Sequence, residues 1–143
     1  MNKDTIAGTQ QQLIDEFNYF DNWLDRYEYI IELGRNLSDF PEHLRTETNR
    51  VSGCQAQVWL HTEQIQDKLY FTATSDALLV KGLIAILLRL YSGKTPQEIV
   101  AAKTDFIGAI GLDKHLSPTR SNGLYSMLQK MHQDAARIMM KSA

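Results

Sequence analysis

A single cysteine, Cys54, is present in 143 residues. One thiol excludes an intramolecular disulfide framework and every zinc or redox motif that needs two cysteines. An excess of charge of either sign is also missing: 15 Lys+Arg against 17 Asp+Glu give a formal net charge of −2 and a pI near 6.1. Neither the total nor any local run supplies the basic footprint that a nucleic-acid backbone requires. Long apolar runs are absent as well. The most apolar stretch, 77–91, is shorter than the roughly 20 residues that span a bilayer, and Lys81 and Arg89 interrupt it, so it reads as a buried helix. The segment MNKDTIAGTQQQLIDEF has no basic region followed by an apolar one, so no signal peptide is indicated. A reducing cytoplasm is the expected compartment. What remains is ordinary globular usage, 43% hydrophobic and 22% charged, in a length that fits one domain over 1–143.

Apolar periodicity predicts helix from 9 to about 33, where Leu13, Phe17, Phe20, Leu24, Tyr27 and Ile31 recur at three- and four-residue intervals. Thr9 and Gln12 make a capping-box pair, and a break near Asp21-Asn22 divides the stretch into two helices. Gly34 is expected as the left-handed residue after the last turn, and Phe40-Pro41 as the start of a short helix to Leu44. Between 47 and 74, β-branched and aromatic residues predict three strands at about 47–51, 56–62 and 68–74, the last two joined by the turn TEQIQD. Ser75 or Asp76 is expected to cap the apolar helix, whose polar stripe is Lys81, Ala85, Arg89 and Ser92 and which Gly93 ends. Thr95-Pro96-Gln97-Glu98 opens a short helix to about Lys103. Ser117-Pro118 repeats the device, and Leu124, Met127, Leu128, Met131, Ala135, Ile138 and Met139 share one face of the helix that follows. The fold class is α+β, a single domain with a small three-stranded antiparallel sheet packed against several helices. Trp59 and Leu116 are expected in the core.

The cysteine falls in the loop Ser52-Gly53-Cys54-Gln55 between two expected strands, beside a glycine free to adopt backbone angles closed to other residues. A lone cysteine is ordinarily a small buried hydrophobe; a loop position offers instead a sulfur that can be reached. If Cys54 carried a persulfide, no second thiol in the chain would attack it, and the sulfur would survive until an outside acceptor took it. That arrangement suits a carrier and disfavours a dithiol oxidoreductase. A different reading makes Cys54 the nucleophile of a hydrolase or acyltransferase with His61 or His115 as base. A cluster scaffold is disfavoured, because iron–sulfur clusters usually take several thiolates from one site. His43, His61, His115 and His132 show no ligand spacing, so no metal is expected. Gly82 belongs to no phosphate-cradling motif, so no bound nucleotide is expected either.

The run Val51-Ser52-Gly53-Cys54-Gln55-Ala56-Gln57-Val58-Trp59 resembles the signature of the SufE/CsdE family of sulfur-acceptor proteins. Arg26-Tyr27 with Ile30, Ile31, Leu33 and Gly34 is similar to the family's first motif. Ser75-Asp76-Ala77 with Val80-Lys81-Gly82-Leu83 resembles the stretch after its strands. Leu112 with His115-Leu116-Ser117-Pro118-Thr119-Arg120-Ser121-Asn122-Gly123-Leu124 resembles its carboxy-terminal motif. The resemblance runs from about residue 10 to 140, and the SufE and CsdE branches share it. It implies an α+β fold similar to the IscU-type scaffolds without the cluster ligands. It further implies that Cys54 takes persulfide sulfur from a pyridoxal-phosphate-dependent cysteine desulfurase of the SufS/CsdA type, stimulating it, and relays the sulfur to a SufBCD-type iron–sulfur scaffold complex. Such a protein has no cofactor of its own and acts as an accessory rather than a stand-alone enzyme. By the same resemblance Gly53, Gln55, Asp76 and Arg120 support the cysteine, which tucks into an apolar pocket; because apolar burial raises a thiol's pKa, docking on the desulfurase is expected to pull the loop outward and switch the thiol on. Asp76 also reads as a helix cap. Arg120 falls in the first turn of a helix, where a cation is poorly placed against the dipole, so a specific partner is expected for it: a carboxylate or the sulfur site. The amphipathic helix surfaces would support a homodimer, with no heptad seam to fix one.

Overall fold

The computed structural model describes residues 5–54 and 56–142. Its elements, in chain order, are α1 (Ile6–Asn18), α2 (Trp23–Arg35), a 3-10 turn (Glu42–Leu44), β1 (Val58–Ile65), β2 (Lys68–Ser75), α3 (Leu78–Tyr91), α4 (Pro96–Ala101), α5 (Phe106–Ile110), α6 (Leu112–His115) and α7 (Pro118–Ser142). The α+β class stands, with helices packed on an antiparallel sheet. The sheet has two strands among the described residues, not three.

The missing strand has a local cause. Over 47–51 only Arg50 bridges β1, opposite Trp59, with Val51 N–H donating to Val58 O at 2.9 Å and Leu60 N–H to Asn49 O at 2.7 Å. The preceding amides fold into turns instead, Asn49 N–H reaching Thr46 O and Arg50 N–H reaching Glu47 O, both at 3.2 Å. Glu47, Asn49 and Arg50 give that stretch no apolar face to bury; Val51 alone is buried. The hairpin is tighter than the sequence suggested. β1 continues through the exposed Glu63, Gln64 and Ile65, and only Gln66-Asp67 make the turn, with Gln66 in the left-handed region at φ +57°. Backbone pairing satisfies those polar residues without burial, which is why composition marked them as loop.

α3 is the centre of the core. Leu83, Ile84, Ile86, Leu87, Leu90 and Tyr91 are fully buried, against α2 on one side and β2 and α7 on the others. Each buried aliphatic side chain contributes about 1.5–3 kcal/mol gross. Gly34 does not end α2 but lies buried within it. An ideal Cβ there would sit 2.6 Å from Gly82 N, and one on Gly82 would sit 2.0 Å from Ile30 O, so the two glycines let α2 and α3 touch backbone to backbone. The helix starts also differ from expectation. Thr5 rather than Thr9 caps α1, accepting from Gly8 N–H at 2.9 Å, while Thr9 is buried. α3 has no side-chain cap, Ala77 standing at that position. α4 carries the full capping box of Thr95 and Glu98 with Pro96 in its first turn, and ends at Ala101. On α7, Leu124, Met127, Leu128, Met131 and Ala135 are buried as the periodicity requires, Ile138 and Met139 only partly. Leu116 is in the core, but Trp59 is not. Val58 and Leu60 face inward, so Trp59 points to the opposite face, half-buried, with the Arg45 guanidinium 5.0 Å above its ring.

Candidate functional site

The loop that carries Cys54 leaves the Arg50–Trp59 bridge after Val51 and rejoins the hairpin at Val58, so the Val51–Val58 hydrogen bond closes its base. Asp76, the residue after β2, fastens the same base from the other side. Its Oδ1 accepts from Gln57 N–H at 3.0 Å, and its own N–H donates to Gln57 O at 3.3 Å. Asp76 is therefore a clamp on the loop and not the cap of α3. Ser75 takes the short-range role, its Oγ accepting from Ala77 N–H at 3.2 Å.

The tip of the loop rests on α7. Gly53 has φ +86°, and an ideal Cβ on it would lie 2.6 Å from Ser126 Oγ. The missing side chain thus serves both the backbone angle and the close approach. Cys54 Sγ donates to Gly123 O at 3.7 Å, and a Cβ on Gly123 would meet the sulfur at 3.5 Å, an ordinary van der Waals contact. Cys54 is half-buried, and this burial pushes its thiol above the ordinary value, because a thiolate is poorly solvated among apolar neighbours. At rest the sulfur is sheltered, and its surroundings favour the thiol over the thiolate.

A cavity of about 390 Å³ opens beside the sulfur. Ala56, Ala77, Val80, Leu83, Leu124 and Met127 form its apolar wall, and Ser117, Thr119 and Arg120 its polar mouth. The structure thus brings Gly53, Cys54, Asp76 and Arg120 around one loop and one cavity, while Gln55 lies outside the described residues. Arg120 is exposed, and its guanidinium has no ion pair or hydrogen bond among the described residues. Sequence reasoning missed Gly123 and Ser126 as parts of the site. The available signal was a glycine inside an amphipathic helix, where it costs about 1 kcal/mol relative to alanine.

None of the described residues lining the cavity is a histidine. His115 stacks on Trp23 with ring centroids 4.0 Å apart, and its carbonyl accepts from the Tyr27 hydroxyl. His61 lies on β1 opposite Thr72, and His132 packs edge-on against the buried Tyr91. The Cys–His pair that a hydrolase would need is not assembled, because the sulfur's hydrogen-bond partner is a main-chain carbonyl.

Comparison with known proteins places this geometry. Residues 11–135 match the family model described as SufE, Fe-S metabolism associated domain. The chain belongs to the SufE family. It is 47% identical over 129 residues to a SufE-like protein of Rhizobium meliloti (strain 1021), an alignment covering 87% of this chain and 92% of that one. It is 45% identical over 135 residues to a SufE-like protein of Rhizobium etli, covering 91% of each. The fold is similar to that of a hypothetical protein from Thermus thermophilus solved in solution, with a TM-score of 0.76 at 20% identity over 92% of this chain and 96% of the other. Membership of the SufE family gives the chain a role in iron–sulfur metabolism. No helix among the described residues is long and apolar enough to cross a membrane.

Proposed function

We propose that this SufE-family protein is a sulfur acceptor and carrier that holds sulfur as a persulfide on Cys54. The donor is a pyridoxal-phosphate-dependent cysteine desulfurase, and the sulfur passes on to an iron–sulfur scaffold complex. The observation that carries this reading is the position of the chain's one thiol: on a loop tip clamped at its base by Asp76, resting on α7, beside a cavity. The transfer is an exchange of sulfur without net redox change. The Cys54 thiolate attacks the outer sulfur of the partner's persulfide, the new Sγ–S bond forms, the partner's S–S bond breaks, and the partner's thiolate leaves with the electron pair. The proton that Cys54 gives up balances that thiolate. Because burial disfavours the reactive thiolate, docking that lifts the tip off α7 switches the thiol on, and the same shelter protects a loaded persulfide from stray reductants. The protein acts as an accessory in a reducing, cytoplasmic setting and needs no cofactor of its own.

The test is an intact mass spectrum taken after incubation with cysteine and a desulfurase. The expected result is the gain of one sulfur atom, lost on reduction and absent in Cys54→Ser. No reducible adduct on the wild-type chain, with the desulfurase shown active, refutes the reading.

A further inference from the structure

The cavity beside Cys54 is larger than a carrier of single sulfur atoms requires. At about 390 Å³ it falls in the range of roughly 300–1,000 Å³ typical of small-molecule pockets, whereas a loaded persulfide adds one atom. Its lining combines two chemistries. Cys54 and aliphatic side chains supply most of it, and the exposed Arg120 is the one charged residue among the described lining residues, with no aspartate or glutamate beside it. That guanidinium has no partner among the described residues. The first turn of α7 adds to the field. Pro118 has no N–H, the Arg120 amide donates to Ser117 Oγ at 3.3 Å and the Ser121 amide to Ser117 O at 2.9 Å, which leaves the Thr119 amide without a partner among the described residues. Above it stands a 25-residue helix whose dipole favours negative charge at this end. A planar guanidinium fork and an amide unpartnered among the described residues, on two residues that line the same cavity, are a fit for a carboxylate.

We propose that the cavity takes the persulfide of a small thiol bearing a carboxylate, so that Cys54 is loaded directly by a free sulfur carrier as well as by a protein donor. The inference rests on the reading of Cys54 as a sulfur acceptor. The carboxylate is held at the Arg120 mouth, the short aliphatic part lies along the apolar wall, and the outer sulfur faces Cys54 Sγ. The step balances without an oxidant: Cys54 Sγ bonds to the outer sulfur, the carrier's S–S bond breaks, the carrier leaves as its thiolate, and that thiolate takes the proton from Cys54.

The experiment omits the desulfurase and follows loading of Cys54 by intact mass with two probes: cysteine persulfide, and cysteamine persulfide, which lacks the carboxylate. The expected result is loading by cysteine persulfide about tenfold to a hundredfold faster, the value of a charge-assisted hydrogen bond. In Arg120→Gln the ratio of the two rates falls toward one, and in Arg120→Lys part of the preference returns. Equal rates in the wild type, or a ratio unmoved by Arg120→Gln, overturn the inference. A ratio of one together with slower loading of Arg120→Gln by the desulfurase also overturns it, and assigns the anion site to a carboxylate on the protein donor. Loading by the desulfurase with no preference among free persulfides leaves the carrier reading standing; absence of loading from every donor removes both.

Discussion

Replacing Gly53 with alanine should free Cys54 without unfolding the protein. The substitution acts twice. It forces a residue with a side chain to hold φ +86°, and it places a Cβ 2.6 Å from Ser126 Oγ. A left-handed backbone costs a non-glycine residue about 1–2 kcal/mol. The Ser126 contact adds to this only until its short side chain turns aside, so the backbone penalty is the floor. Both costs vanish when the tip lifts off α7, so they act on the balance between resting and lifted loop. A shift of that size changes the balance about 5–30-fold. Alkylation of Cys54 by iodoacetamide reads it directly, since no other thiol competes. The rate at neutral pH should rise by up to that factor, and the thiol should titrate closer to its ordinary value. The sign follows from burial: the resting loop raises the thiol pKa, so its packing is fully stabilising below the ordinary thiol value and is lost as pH rises through the raised one. Adding Ser126→Ala should recover only the contact part. Alkylation of Gly53→Ala at the wild-type rate, with an unchanged pH profile, would refute the account of how the loop is held.

Three further outcomes follow from contacts elsewhere. Gly82→Ala puts a Cβ 2.0 Å from the Ile30 carbonyl, which can be relieved only by separating α2 and α3; a loss of at least about 1–3 kcal/mol in denaturant unfolding is expected, and an unchanged midpoint would show that the crossing is looser than described. Asp76→Ala should speed hydrogen exchange at the Gln57 amide, while Asp76→Asn, which keeps an acceptor oxygen, should change it little; equal effects would deny the clamp. Burial pushes the hydroxyls of Tyr29, which also donates to Glu16, and Tyr91 up to about 12 each, so an alkaline absorbance titration should contain a late component that Tyr91→Phe reduces. Both groups are raised in the folded state, so the stability they contribute is present below the ordinary tyrosine range and lost as pH climbs toward 12.

Elements written in local chemistry were legible. The Thr95-Pro96-Gln97-Glu98 box, the Ser117-Pro118 start and the α7 stripe depend on residues within a turn or two of each other, and they formed where the spacing put them. The third strand misled because Val51 resembles strand sequence while its neighbours close turns, and turn closure competes for the same amides. Gly34 misled for a related reason: a glycine near a helix end reads as a stop, and nothing local reveals a second glycine on α3 across from it. Asp76 was placed near the loop, but the cap it resembled and the clamp it makes use the same oxygen, and only the arrival of Gln57 decides between them.

The sequence alone determined where the one thiol lies, because it holds a single cysteine and sets it beside a glycine in a polar loop between apolar segments. It also determined the helices whose buried faces repeat every three to four residues. Tertiary structure decided the sulfur's surroundings: a half-buried thiol facing a carbonyl of a helix that begins more than sixty residues later. It likewise decided that Arg120, which has no ion pair among the described residues, lines that sulfur's cavity. Burial, close approach and charge pairing depend on distances between segments remote in the chain, and those distances exist only once the hairpin, α3 and α7 have packed together.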